Sequence, residues 1–480
     1  MSTVCRMPLT SDRRQTVSRS AWRSSRCSSR KRNSHSMKKT LLRGGSVVSE
    51  GEMKPRDVLI GTNGIIEAIQ PLIQDHKDAD IVDVSGKLLF PLLIDCHVHF
   101  REPGMEEKAT MQTEAAAALS GGVGLVCDMP NTIPPCVTIA ALADKVRRAE
   151  KISGCTLKFF FGVTEAIHLV TLKDLWTGTS LELKRLKNHC CGVKLYLDHS
   201  TGDQKVDGGI VEEIFRTCAE LKIPLVAHCE DSEMNEKALQ ENVASPQTID
   251  LHSKNRSPES EATSIEYAIS LARKTGAAFH VAHLSTKQGI ELVRAAKKEK
   301  LPVTCEVAPH HLFLTTDDYV TLGTFGKMNP PLRSSEHRDA LWAGIIDGTV
   351  DCIATDHAPH TIAEKESGEP LKAPSGVPGV ETMLSLLLSV ASGKWPNENS
   401  KTKKTNAKIS YHDILRLCFT NPNRIFSLGA SSLAVKNPAR IAIIDPMQEW
   451  LIEGKSLHSK CGWTPFEGWK VSGKVARTIA

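Results

Sequence analysis

Apolar and polar positions fall into two regimes along the chain. From Thr40 to about Val84, short apolar stretches alternate with turns: Ser46-Val47-Val48, Asp57-Val58-Leu59-Ile60, the turn Gly61-Thr62-Asn63-Gly64, then Ile65-Ile66. An Asn-Gly step between apolar pairs is a strong hairpin signal. A matching set of β-like stretches returns at the far end, in Ala439–Pro446 and Gly468–Gly473. Together they predict a small β-sandwich built from both termini.

Between Leu88 and about Gly393 the pattern changes. Eight apolar, β-rich runs (88–100, 122–131, 157–164, 191–197, 223–231, 279–286, 301–312 and 348–360) are separated by helical patterns such as Thr113–Ser120, Ile139–Lys151, Ser260–Lys274 and Ser285–Lys300. That alternation is the signature of a parallel sheet. Eight β/α units over roughly 300 residues predict an α/β fold of the TIM type, a (β/α)8 barrel whose active site lies at the C-terminal strand ends. A doubly wound sheet has no support, because no Gly-x-Gly-x-x-Gly opens a helix. The expected division is a leader at 1–36, the N-terminal part of the sandwich at 37–87, the barrel at 88–425 and the C-terminal part of the sandwich at 426–480. Residues 394–408, rich in Lys, Asn, Ser and Thr, read as an exposed loop.

Composition narrows the picture. No apolar run approaches the roughly 20 residues of a membrane helix, so no membrane association is expected. The 14 cysteines are scattered, form no Cys-x-x-Cys pair and several sit inside apolar runs, as Cys127, Cys305 and Cys352 do. Free thiols in a reducing, cytoplasmic setting fit that usage. The whole chain carries +5, but residues 1–36 alone hold nine Arg or Lys against the single acid Asp12, so the remainder is net acidic at −3. A nucleic-acid surface is therefore not implied. With ten serines and no apolar periodicity, 1–36 is expected to be disordered. A start upstream of the true one at Met37, an organellar transit peptide and a functional basic tail all fit it.

If the fold is a barrel, functional groups belong where the apolar runs end, and they are found there. The first run ends in Asp95-Cys96-His97-Val98-His99-Phe100-Arg101, the second in Asp128-Met129-Pro130-Asn131-Thr132, the fifth in His228-Cys229-Glu230, the sixth at His283 and the eighth in Asp356-His357-Ala358-Pro359-His360. Alternation along a strand points His97 and His99 the same way, suited to one metal ion. Arg101 shares that face if the strand keeps its period. Lys194 lies inside the fourth run, where an unpaired ammonium would lose its hydration without return. Burial and nearby cations lower such a pKa, leaving an amine that CO₂ converts to a carbamate able to bridge two metals. His228 and His283 would complete the second metal, and Asp356 would bind the first and contact a bridging hydroxide.

The runs Asp95-x-His97-x-His99-x-Arg101-x-Pro103-Gly104, Asp128–Thr132, Lys194-Leu195-Tyr196, His228-Cys229-Glu230, His283-Leu284-Ser285 and Thr355–His360 resemble the dihydroorotases of the amidohydrolase superfamily. The similarity extends from about Met37 to the C-terminus and includes Lys460–Gly468. The resemblance implies a metal-dependent (β/α)8 barrel with a composite β-sandwich and reversible hydrolysis of dihydroorotate to N-carbamoyl-aspartate. It implies two Zn²⁺: His97, His99 and Asp356 on one, His228 and His283 on the other, with carbamylated Lys194 and a hydroxide bridging both. Asp356 would be the catalytic proton carrier, Arg101, Asn131 and His360 would hold the substrate carboxylate, and the protein would be a homodimer. The chain departs from many relatives at Leu92, which follows Pro91 where they have Gly, and in Ser431–Pro438. Competing readings are an allantoinase or dihydropyrimidinase-like hydrolase on the same barrel, or a non-catalytic scaffold relative. Arg101 argues against the first, and the presence of all six ligand positions against the second.

Overall fold

A computed structural model describes residues 38–74, 77–198, 204–206, 208–366, 368–397 and 407–480. The basic leader and Met37 lie outside the described residues, as does most of the 394–408 loop. Five strands come first, β1 Lys39–Val48, β2 Met53–Ile60, β3 Ile66–Gln70, β4 Ala79–Asp83 and β5 Leu88–Pro91. Eight follow in the barrel: β6 Leu93–Val98, β7 Val123–Asp128, β8 Thr156–Gly162, β9 Cys190–Tyr196, β10 Leu225–His228, β11 Phe279–Val281, β12 Val303–Val307 and β13 Cys352–Ile353. Two close the chain, β14 Ile441–Leu451 and β15 Lys470–Ile479.

The termini form a seven-stranded sheet in the order β15-β14-β5-β1-β2-β3, with β4 also paired to β1. The Asn-Gly signal becomes the turn between antiparallel β2 and β3, where Gly64 takes φ 76° and Asn63 Oδ1 accepts the Ile65 N–H at 3.1 Å. Leu42, Val58, Ile60, Ile66, Leu89, Ile441 and Ile443 pack into one apolar cluster, drawn from both ends of the chain.

The other eight strands run parallel in sequential order from β6 to β13. Among the described residues β13 and β6 share no ladder. The ring closes instead through a parallel bridge between Val98 and His357, with the His99 N–H donated to the His357 carbonyl at 2.7 Å. The Asp95 carboxylate adds to the closure by accepting the Thr355 N–H at 3.0 Å and the Thr355 hydroxyl.

Three of the apolar runs divide more finely than their composition suggests. The first splits at Leu92: β5 pairs with β1 and β14 in the terminal sheet, and only β6 enters the barrel. Leu92 packs against Gly124, where a Cβ would come within 2.6 Å of the leucine. In the 301–312 run the strand stops at Val307, and Pro309 opens a short helix, Pro309–Phe313. Proline fits the first helical turn because its missing N–H has no partner there anyway. In the 348–360 run only Cys352–Ile353 is a strand, so apart from the isolated bridges of His357 the chemistry-bearing residues beyond it are irregular backbone. No helix among the described residues is long and apolar enough to cross a membrane.

Phe160 in β8 shows how tightly the barrel is filled. It is fully buried, fits against Gly192 and meets the Phe426 ring edge-on at 5.6 Å. Truncating a buried phenylalanine removes its transfer free energy and leaves a cavity. Phe160→Ala is expected to lower the unfolding free energy by about 3–5 kcal/mol, measured by urea denaturation; a loss within error of zero would mean the site collapses without cost.

Candidate metal centre

The C-terminal strand ends converge on a cavity lined by His97, His99, Arg101, Asn131, Tyr196, His283, Asn329, Asp356, Ala358, Ser375 and Gly376. His97 is in the last turn of pleat of β6, and His99 lies one residue beyond it. The strand does not keep its period as far as Arg101, which takes φ 65°. Its side chain still reaches the cavity, buried, with Nε donating to the Pro359 carbonyl and Nη2 beside His360 Nε2, both at 3.0 Å. His283 and Asp356 also adopt positive φ, 32° and 47°. Left-handed backbone at non-glycine residues costs of order 1–3 kcal/mol each and gathers where a site over-determines it.

His97 Nε2 and His99 Nε2 face the same oxygen, Asp356 Oδ1, at 3.3 and 3.0 Å. One ligand atom from each of these residues lies within 4.8 Å of the others, and all three are buried. Two imidazoles and a carboxylate so placed suit a borderline divalent cation. Beside them, His228 Nδ1 and His283 Nε2 stand 3.0 Å apart, and the His283 ring centroid is 5.2 Å from that of His97. Among the described residues His283 Nδ1 and Lys194 Nζ are buried without a hydrogen-bond partner, and the ammonium lies 5.1 Å from the Tyr196 ring centroid. His360 is joined to the site through Arg101, and Asn131 through its Oδ1, 2.7 Å from His99 Nδ1.

Electrostatics follow from burial. Desolvation lowers His99 to about 4 despite the opposing pull of Asp356. Burial would raise the Asp356 carboxyl, but His97 and His99 outweigh it and hold it below the usual carboxylate range. Lys194 is lowered to about 8 by desolvation, with Glu306 and Asp356 opposing. At neutral pH a fraction of its amine is unprotonated, the form that carbamylation needs.

Residue-pattern reasoning did not single out Glu306, which organises much of this. Its carboxylate binds His97 Nδ1, stands 3.2 Å from His280 Nε2 and accepts the His283 N–H at 3.2 Å. Carboxylates behind metal-ligating histidines fix their tautomer and orientation. The signal was present, since Glu306 interrupts the apolar run Val303-Thr304-Cys305-Glu306-Val307 as Lys194 interrupts its own. Glu230 stands 2.8 Å from His228 Nε2 and is itself gripped by Arg256. Asn329, Ser375 and Gly376 lie in loops without periodicity and left no comparable trace.

Residues 88–480 match the profile of the Amidohydrolase family. The chain belongs to the amidohydrolase family. Among the relatives of this amidohydrolase is the dihydroorotase of Halobacterium salinarum, 38% identical over 381 residues, spanning 79% of this chain and 82% of the relative. The dihydroorotase of Methanosarcina mazei is 37% identical over 426 residues, 87% of each chain. Among solved structures, the L-hydantoinase (dihydropyrimidinase) of Arthrobacter aurescens superposes with a TM-score of 0.83 at 24% identity, covering 92% of this chain and 95% of that one, a likeness of fold.

Burial holds six histidines of the amidohydrolase, His99, His252, His283, His310, His311 and His360, below the ordinary imidazole range, which works against the fold in acid. Burial holds His99 and His310 at about 4 and His252 and His360 at about 3, against an ordinary 6.5. Between these values the unfolded chain takes up protons that the fold refuses, so their contribution is complete above pH 6.5 and lost as pH falls towards 3. Chelator-treated protein is expected to lose melting temperature steadily over that window. A profile that stays flat, or rises on acidification, would contradict it.

Proposed function

We propose that this amidohydrolase is a zinc-dependent dihydroorotase, opening and closing the dihydroorotate ring at the amide C–N bond. The observation that carries the reading is Arg101. Its guanidinium is buried in the cavity wall, its partners are a carbonyl and an imidazole, and Nη1 has no hydrogen-bond partner among the described residues. Burying an unpaired cation is unfavourable by several kcal/mol, so the site is built for a ligand carrying an anion. A carboxylate matches the planar fork of a guanidinium. Dihydroorotate has one, whereas hydantoin and dihydrouracil rings do not. Asn131 and His360 complete the grip.

His97, His99 and Asp356 would hold one zinc, His228 and His283 the other, and Lys194, as its carbamate, both. When bound, the pair supplies hydroxide near neutral pH and polarises the ring carbonyl. Arg101, Asn131 and His360 hold the ring so that this carbonyl meets the attacking oxygen. Asp356, kept ionised by His97 and His99, takes up the proton as the oxygen adds to carbon. It returns that proton to the ring nitrogen as the C–N bond breaks, and ring closure runs the same transfers backwards. A homodimer in the cytoplasm accompanies this reading; the cysteines among the described residues are all free thiols, which suits a reducing compartment.

Purified, zinc-loaded protein is expected to consume dihydroorotate, followed as ring absorbance in the ultraviolet, and to leave allantoin and dihydrouracil nearly untouched. Arg101→Ala should raise KM for dihydroorotate by roughly 10²-fold, the loss of a charge-assisted pair. Preference for an uncharged ring, or an unmoved KM, would overturn the assignment. Lys194→Ala is expected to lose most turnover and most bound metal by elemental analysis, with partial recovery in short carboxylic acids. Two metals and full activity in that variant would rule out the carbamate.

A further inference from the structure

Two lysines near the cavity do something the proposed reaction does not require of them. Lys365 Nζ is buried and donates to three backbone carbonyls, Lys327 at 3.1 Å, Pro374 at 2.9 Å and Gly376 at 3.1 Å. Lys327 Nζ, also buried, donates to the carbonyls of Leu371 and Ala373, both at 2.6 Å. Neither makes an ion pair among the described residues. Desolvation lowers them to about 7 and about 8 respectively, a measure of how unfavourable the placement is for a lone ammonium. Five carbonyls and two charges are thus committed to one short stretch of irregular backbone.

The segments they join explain the commitment. Lys365 ends the short helix Ile362–Lys365, which begins two residues after His360. Its ammonium reaches the carbonyl of Lys327, two residues before Asn329, and the carbonyls on either side of Ser375. The Gly376 N–H closes the same junction by donating to the Lys327 carbonyl at 2.9 Å. Asn329, Ser375 and Gly376 all line the cavity, and the Ser375 carbonyl lies 3.1 Å from His360 Nε2. Space at the junction is already minimal. A Cβ on Gly376, at φ 137°, would fall 2.7 Å from the Ala358 carbonyl oxygen. The Trp463 indole packs 5.5 Å from the Lys365 ammonium and donates to the His360 carbonyl at 2.7 Å, covering the junction from outside.

We infer that Lys365, seconded by Lys327, is a positioning residue that sets substrate specificity by fixing the three loops carrying Asn329, Ser375–Gly376 and His360 around the ring's charged edge. An ammonium suits that task because its three donors point in different directions and can tie the helix that carries it to two other segments, Lys327 and Pro374–Gly376, at once. Irregular loops otherwise lack the ladder hydrogen bonds that keep a strand in place. The inference rests on the dihydroorotase reading above.

The test is Lys365→Met in zinc-loaded full-length protein, with dihydroorotate and dihydrouracil assayed in parallel and metal content measured. The expected result is a KM for dihydroorotate raised roughly tenfold, because displacing a binding wall by a fraction of an ångström weakens contacts throughout it. Discrimination against dihydrouracil falls with it, while metal per chain stays at the wild-type level. A merely structural role would reduce the active fraction and lower turnover of both substrates alike at unchanged KM, and that outcome overturns the proposal. If Lys365→Met yields no folded protein by circular dichroism, Lys327→Met, which removes only the Leu371 and Ala373 contacts, carries the same prediction and the same refutation. Wild-type protein that fails to turn over dihydroorotate overturns the functional reading and this inference with it. Wild-type turnover with an unmoved KM in the variant overturns the inference alone.

Discussion

The site depends on the closure of the barrel between its first and last strands. β13 is only two residues long and among the described residues forms no ladder with β6, so the seam is made by the Val98–His357 bridge, the His99-to-His357 backbone bond and Asp95 accepting from Thr355. These residues are about 260 positions apart in sequence, and the entropy of joining them is set against a handful of buried hydrogen bonds. Burial pushes Asp95 up to about 6, while its bonds from Thr355 and the His97 N–H work the other way. The seam also brings His97 and His99 against Asp356. A divalent ion held by these three would tie β6 to the segment after β13, so binding and closure reinforce each other.

Glu306 plays the corresponding part within the ring. From β12 it reaches the Nδ1 of His97 on β6 and the backbone N–H of His283 beyond β11, so one carboxylate touches a residue of each proposed metal position. Burial would raise its pKa, but His97 and His280 outweigh that and hold it well below the usual range. It therefore stays charged, and the histidines it faces stay oriented. The positive φ of His283 and Asp356 fits the same arrangement. Local backbone preference is overridden where side chains from separate strands must meet.

Much of the fold could be read from periodicity because barrel strands are short, apolar and regularly spaced, and each of the eight runs overlaps one barrel strand. The histidine pair, Lys194 and Asp356 could be read because each is a polar group in or directly after an apolar run, a conflict that chemistry alone resolves. Arg101 was found for a reason the structure replaces: strand alternation does not carry it to the cavity, but a left-handed turn does. The division of 88–100 between two sheets left no trace, since Leu88–Pro91 and Leu93–Val98 are equally apolar and their fates differ only through partners far away in sequence. Asn329, Ser375 and Gly376 are placed by tertiary contacts to backbone carbonyls, which no local pattern encodes.

Four buried cations surround the cavity, and their hydrogen bonds separate them by task. Lys365 places all three of its donors on carbonyls and Lys327 two of its three, so neither ammonium is without partners. Arg101 and Lys194 each retain a buried nitrogen without a hydrogen-bond partner among the described residues. An unmade hydrogen bond in a buried medium is unfavourable by about 1–3 kcal/mol, more for a charged group, so a ligand or modification that completes these bonds is favoured. The guanidinium cannot shed its charge, so it calls for an anion. The ammonium, lowered to about 8, can shed its proton and so is open to covalent change instead. In the proposed reaction one cation would select the substrate and the other would prepare the metal bridge, a difference that follows from their acid strengths in a shared environment.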